Sequence, residues 1–228
     1  MSIFTKEYWK TAASELKKPK MLAFAAVMIA LRIAIRSVHI PVGDNLNIYF
    51  TFFVNALGAM TFGPVVAALG ALVSDTIGAL LFPVGAYFFP WALVEIAGSF
   101  IFALFLYKQK LTSIRVILSR FFVIFTCNII LTPAVNLLQF AWFNNWQYKP
   151  GYIFFSLPRI IKNLALFPFE SLLLIVFLNA LLPALRKLNY TTSGEKMKIT
   201  VKNLVFLLVL LVLSIVAVYF YYTLYLAK

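Results

Sequence analysis

From Asn45 to Trp91 the chain is apolar almost throughout, and the breaks are Gly63-Pro64, the stretch Pro83-Val84-Gly85-Ala86-Tyr87, and one carboxylate, Asp75. Inside hydrocarbon no water satisfies the backbone, so segments of this kind are restricted to helices. The segments on either side of Gly63-Pro64 are long enough to be helical but barely reach the roughly 20 residues that span a bilayer. Proline suits the first turn of a helix, so the spacing predicts a tilted pair packed around the Gly63-Pro64 turn. Asp75 falls inside the second of them. A carboxylate is expensive there, which marks it as a functional candidate and the stretch as one wall of a membrane-embedded small-molecule site.

The remaining composition agrees with a membrane setting. The 228 residues are 63% hydrophobic and only 12% charged, which excludes an ordinary soluble domain. The formal charge of +13 would point to nucleic acid in a soluble chain. Here the basic residues cluster at segment ends, where positive-inside topology accounts for them and no nucleic-acid partner is implied. Cys127 is the single cysteine, so neither an intrachain disulfide nor a cysteine metal cage is available. A secretory signal is not expected, because the first apolar run starts near Met21, contains Arg32 and Arg36, and leads to no small-residue cleavage site. Residues 1–20 carry Lys6, Lys10, Lys17, Lys18 and Lys20 and read as a basic cytoplasmic lead-in. Tyr8 and Trp9 would let it lie on an anionic leaflet, or the terminus frays.

Apolar runs bounded by Gly, Pro or charge predict seven helices, at 21–38, 47–62, 64–82, 88–107, 113–135, 157–186 and 200–225. Short connections at Gly63-Pro64 and Lys108 to Thr112 make neighbours antiparallel. The longer connections, His39 to Leu46, Pro83 to Tyr87 and Asn136 to Leu157, then share a side. Lys108, Lys110, Arg115, Arg120, Arg186, Lys187, Lys196, Lys198 and Lys202 fall opposite them, with the N-terminus, while the longer loops offer little beyond Lys149. The expected topology has a cytoplasmic N-terminus and external longer loops. The domain reading is a lead-in over 1–20, a membrane domain over 21–188, a polar linker over 189–199 and a last transmembrane helix over 200–228, facing lipid as an appended anchor. No internal repeat is evident.

Placing the charges by depth gathers Arg32, Arg36, Asp75, Glu95, Arg159, Lys162 and Glu170 in the external half or near the midplane, a set that suggests an outward-facing polar cavity. The alternative is that these charges pair with one another or, for Arg36 and Arg159, snorkel to the interface. Tyr49, Tyr87, Phe88, Phe89, Trp91, Trp142, Trp146 and Tyr148 surround the mouth, where they can stack a planar ligand or form the interfacial belt. Pro90 and Pro158 read as helix starts, with Ser156 a cap before the second. Pro168 predicts a kink near Glu170 whose freed backbone groups need new partners. No phosphate-cradling loop, paired acidic metal motif or metalloprotease motif is present, so no cofactor, metal or catalytic residue is assigned.

Ala26, Ala30 and Ala34 recur every four residues, a spacing that lets another helix approach closely, within the subunit or from a partner. Together with Ile40 to Phe50 (IPVGDNLNIYF), Phe62 to Trp91, the FLYKQK ending at Lys110 and Leu157 to Glu170 (LPRIIKNLALFPFE), this series resembles the S components of energy-coupling factor (ECF) vitamin transporters, and within them the folate-specific type. The resemblance covers roughly residues 20–188. It departs in Asn47, where a basic residue is usual, and in the seventh helix, which lies outside the usual core.

The resemblance implies an all-α integral membrane protein, a six-helix bundle plus an additional C-terminal transmembrane helix, in a bacterial cell membrane. Such a subunit is not an enzyme. It captures a vitamin from outside and delivers it by toppling in the bilayer, in association with a coupling membrane subunit and two cytoplasmic ATPases. The alanine series matches the docking surface for the coupling subunit. For a folate-like ligand the substrate-binding candidates are Asp75, Glu95, Tyr87, Phe89, Trp91, Arg159, Lys162 and Arg36: Asp75 or Glu95 for the pterin edge, and Arg159 or Lys162 for the glutamyl carboxylates. Another vitamin or precursor, such as pantothenate or a queuosine precursor, a small membrane enzyme, or an assembly protein remains open on the residues alone.

Overall fold

The computed structural model describes residues 3–43, 46–82, 87–147, 151–191, 197–221 and 223. Helices dominate: α1 (Lys6–Ser14), α2 (Pro19–Arg36), α3 (Thr51–Leu81), α4 (Pro90–Leu106), α5 (Ser113–Val123), α6 (Thr132–Phe143), α7 (Leu157–Lys187) and α8 (Val201–Tyr221). This is an all-α membrane protein. Thr51–Leu81, Ser113–Phe143 and Leu157–Lys187 are long and apolar enough to cross a membrane, with Pro90–Leu106 and Val201–Val216 as shorter apolar helices. Two compact units are formed, one by Met1–Lys110 with Leu181–Gly194, the other by Leu111–Ala180 with Glu195–Lys228.

In the first unit α3 is two helices rather than one. Gly63 breaks the helix with φ 77° and ψ −179°, and Pro64 opens the next arm. Thr51 and Asp75 border the same small cavity, although a continuous helix would hold them roughly 36 Å apart. The chain therefore doubles back at Gly63, as the Gly-Pro turn predicts. A side chain at 63 would require an unfavourable positive φ, and its Cβ would lie 2.8 Å from the Tyr107 ring. Both arms bury small and apolar residues, among them Val54, Ala59, Val66 and Ala71, and pack against α2 and α4.

Two elements differ from the sequence expectation. Residues predicted to be a loop and a helix start at 47 form a β-hairpin instead, β1 (His39–Gly43) with β2 (Leu46–Tyr49), pairing His39 with Tyr49 and Ile40 with Ile48. The alternating β-branched Ile40 and Val42, with Ile48 opposite, favour that pairing over helix, and the helix starts at Thr51. The basic lead-in, expected on the leaflet or frayed, is a helix docked on the unit. Tyr8 and Ala12 are fully buried, and Tyr8 donates to the Ala103 carbonyl at 3.3 Å. Tyr107 donates to Glu15 Oε1 at 3.2 Å, while Lys18 pairs with Glu15 at 2.9 Å. Burial pushes the Tyr8 phenol up to about 12, so it stays neutral and keeps its donor.

In the second unit Thr112 caps α5 by accepting from the Arg115 amide. The following turns, Ile124–Leu131, widen into a π-helix before α6. Pro133 explains the widening, because it lacks an amide and its ring crowds the preceding turn. The helix expected to end at 135 thus continues to Phe143. The polar segment after α7 is pinned by Asn179, whose amide donates to the Met197 carbonyl at 3.0 Å and accepts from the Met197 amide at 2.8 Å. Ser113 adds a 2.7 Å bond to the Lys198 carbonyl.

Candidate functional site

The first unit brings four of the intramembrane charges together. Arg36 Nη1 lies 2.8 Å from Asp75 Oδ1, and Arg32 pairs with Glu95 while Arg32 Nη1 donates to Ser99 Oγ at 3.2 Å. Helical phase sets this up: Arg32 and Arg36 share one face of α2, one turn apart, and face the second arm of α3 and α4. Gly78 lies beside the guanidinium, and a Cβ there would meet Arg36 Nη1 at an ordinary contact distance of 3.4 Å. Arg32, Arg36, Asp75 and Glu95 border one cavity with Thr51 and Ser74. Arg36 is thus an ion-pair partner rather than a side chain extended to the interface.

The pairing is balanced in charge but not in hydrogen bonds. Asp75 Oδ2 is buried with no hydrogen-bond partner, and so is Asn55 Oδ1. Asn55 borders a neighbouring cavity with Met28, Arg32, Gly58, Phe62 and Ser99. Each is a buried acceptor that a ligand N–H could satisfy.

The aromatic candidates of this unit sit at its edge. The Tyr87 hydroxyl is 3.3 Å from Thr76 Oγ1, on the helix that carries Asp75. Phe89 is exposed, Trp91 half-buried in the first turn of α4 behind Pro90, and Phe88 buried. Tyr49 is exposed with its ring 5.6 Å from His39. The alanines are also informative. Ala26, Ala30 and Ala34 are exposed, whereas α2 turns Met21, Ala25, Met28, Arg32 and Ile33 inward.

The second unit carries the other candidates. Arg120 Nε and Nη2 both reach Glu170 Oε2, at 3.0 and 2.7 Å, and both residues are buried. Arg120 was expected among the interfacial cations. It lies about two turns into α5, deep enough that its charge is stabilised by a carboxylate rather than by water. Lys162 lies within the fields of Glu170, Arg159 and Arg120. Glu170, engaged by Arg120, is the one acidic residue among the described residues of this unit. Arg159 Nη1 is buried without a hydrogen-bond partner. Asn163 braces the group by donating to the Arg159 carbonyl at 2.8 Å and accepting from Asn128 at 2.7 Å. Trp142 and Trp146, both exposed, meet edge to face. Asn45, Pro83 to Ala86, Tyr148, Lys149 and Lys196 lie outside the described residues.

Sequence reasoning missed Arg120 as the partner of Glu170, and Ser99, Asn55, Asn128 and Asn163 as polar supports. A signal existed for each: an amide or hydroxyl inside an apolar helix needs a partner. No group of three His, Cys, Asp or Glu suited to a metal occurs among the described residues.

Residues 17–149 match the family model for the S component of an ECF-type riboflavin transporter. The folate transporter FolT of Clostridium novyi (strain NT) is 29% identical over 163 residues, 70% of this chain and 88% of that protein. FolT of Leuconostoc mesenteroides subsp. mesenteroides is 30% identical over 156 residues, 67% of this chain and 83% of that protein. Among solved structures, a crystal structure of FolT bound with folic acid shares 33% identity at a TM-score of 0.57, covering 68% of this chain and 88% of that one.

Proposed function

Because this chain belongs to the S-component family of ECF-type transporters, we propose that it is the substrate-capture subunit of an ATP-driven importer and that its ligand is folate or a reduced folate. The observation that carries the ligand is the likeness to FolT bound with folic acid, at 33% identity over 88% of that chain. The chemistry supports it in two places. Asp75 Oδ2 and Asn55 Oδ1 are buried acceptors suited to the donor edge of a pterin. Arg159 and Lys162 are assigned to the two carboxylates of a glutamyl tail, which cationic donors can receive. Riboflavin, the ligand named for the matching family, carries no carboxylate for Arg159 and Lys162 to receive.

In this reading Asp75 and Glu95 read the ring, Tyr87, Phe89 and Trp91 stack it, and Arg36 is the ion-pair partner that orients Asp75. The outward face of α2, with Ala26, Ala30 and Ala34, receives a helix of a transmembrane coupling subunit, since small side chains permit close backbone approach. Hydrolysis of ATP belongs to separate partner subunits. The N-terminus is cytoplasmic and capture is external. Native mass spectrometry of the detergent-purified protein tests the ligand: an adduct of folate mass is expected, and an adduct of riboflavin mass, with no folate taken up on addition, overturns the assignment.

A further inference from the structure

Pro168 lies inside α7 and has no amide hydrogen, so the Leu164 carbonyl lacks its ordinary donor four residues on. In hydrocarbon such a carbonyl needs another partner. Ser214 of α8 is that partner: its hydroxyl donates to the Leu164 carbonyl at 3.0 Å. Ser214 is the one polar residue between Leu204 and Val218, and it is buried while most of α8 is exposed. Elsewhere in α8, Leu207 is buried and Leu210 and Leu211 are half-buried.

The two helices are also in register. Asn179 grips Met197 ahead of α8, and Leu164 meets Ser214. Those contacts are separated by roughly 22 Å along α7, and Val201 to Ser214 spans roughly 20 Å of α8 after the short non-helical segment at Met197. An antiparallel helix fastened at both heights accounts for the match. Helix α8, beyond the residues matched by the family model, is therefore more than a greasy anchor.

We propose that Ser214 is a positioning residue. It replaces the hydrogen bond that Pro168 removes, and so holds the N-terminal segment of α7, with Arg159, Lys162 and Asn163, in its ligand-binding arrangement. The role in binding rests on the folate reading above; the hydrogen-bond replacement does not. A purely local role competes with it, because Ser214 also reaches its own Leu210 carbonyl at 2.7 Å and has a single proton to share.

A mutant cycle separates the two. In Pro168→Ala the restored amide serves Leu164 itself, so Ser214 becomes dispensable. Melting temperature in detergent and folate affinity are measured for the parent, Ser214→Ala, Ser214→Thr, Pro168→Ala and the Pro168→Ala/Ser214→Ala pair. Ser214→Ala in the parent is expected to lower the melting temperature by about 2 °C and affinity about threefold, the scale of one intramembrane hydrogen bond. Neither loss is expected in the Pro168→Ala background, and Ser214→Thr should match the parent. Equal losses in both backgrounds, or none in the parent, overturn the assignment. A coupled melting loss with unchanged affinity overturns the positioning role. If the parent binds no folate, the folate reading fails alone, and the melting cycle decides whether Ser214 replaces the missing bond.

Discussion

The Arg36–Asp75 pair makes an asymmetric prediction. The Asp75 side chain is 2% exposed and that of Arg36 40%. Arg36→Met strands a carboxylate in a site where Glu95 is a further negative charge, and breaking a buried pair in this way costs about 3–5 kcal/mol. Asp75→Asn leaves Arg36 an acceptor and a route to solvent, and should cost about 1 kcal/mol or less. For a protein of this size that difference is a melting loss on the order of 10 °C for Arg36→Met against about 3 °C for Asp75→Asn. Fluorescence-detected unfolding of the purified variants in one detergent reads both. Folate affinity should order them differently, with Asp75→Asn losing about tenfold or more because a ligand donor loses its acceptor. Equal melting losses, or the larger one in Asp75→Asn, would falsify the reasoning that burial of the carboxylate dominates this pair.

Three further perturbations bear on other elements. Ala30→Trp should preserve folate binding in detergent yet abolish copurification with a coupling subunit and cellular uptake; lost binding with retained assembly would show that the exposed alanine face is not the dock. Cysteines at Lys110 and Asn144, both exposed and flanking the Ser113–Phe143 helix, should react with impermeant reagents from opposite sides of the membrane, over a low background because Cys127 is buried; labelling of both from outside refutes the topology. Gly63→Ala should lower the melting temperature by several degrees through its positive φ and the Tyr107 ring, and a variant as stable as the parent would mean that the turn relaxes freely.

What was legible in the sequence was what depends on local chemistry. Gly63-Pro64 announced a reversal, Pro90 a helix start, Pro168 an unsatisfied carbonyl, and the charges in apolar runs a polar interior. What stayed hidden depends on which distant residue arrives. Glu170 required a cation, but only folding shows that Arg120 supplies it. Likewise, Tyr8 and Glu15 look like ordinary lead-in residues until Tyr107 is placed against them. The hairpin at His39 was readable in principle, since its β-branched alternation favours strand, but the membrane context biased the reading toward helix. Ser214 was passed over because a lone hydroxyl in an apolar run has no meaning without the proline it serves.

Several helices of the first unit are short. Helix α2 has 18 residues and α4 has 17, which gives them lengths of roughly 27 and 26 Å against a hydrocarbon thickness of roughly 30 Å. Lipid beside such helices must thin by a few ångströms, at a fraction of a kcal/mol for each. A membrane already made of shorter acyl chains removes that elastic load, so this unit should be most stable, and should reorient with least resistance, in thin bilayers.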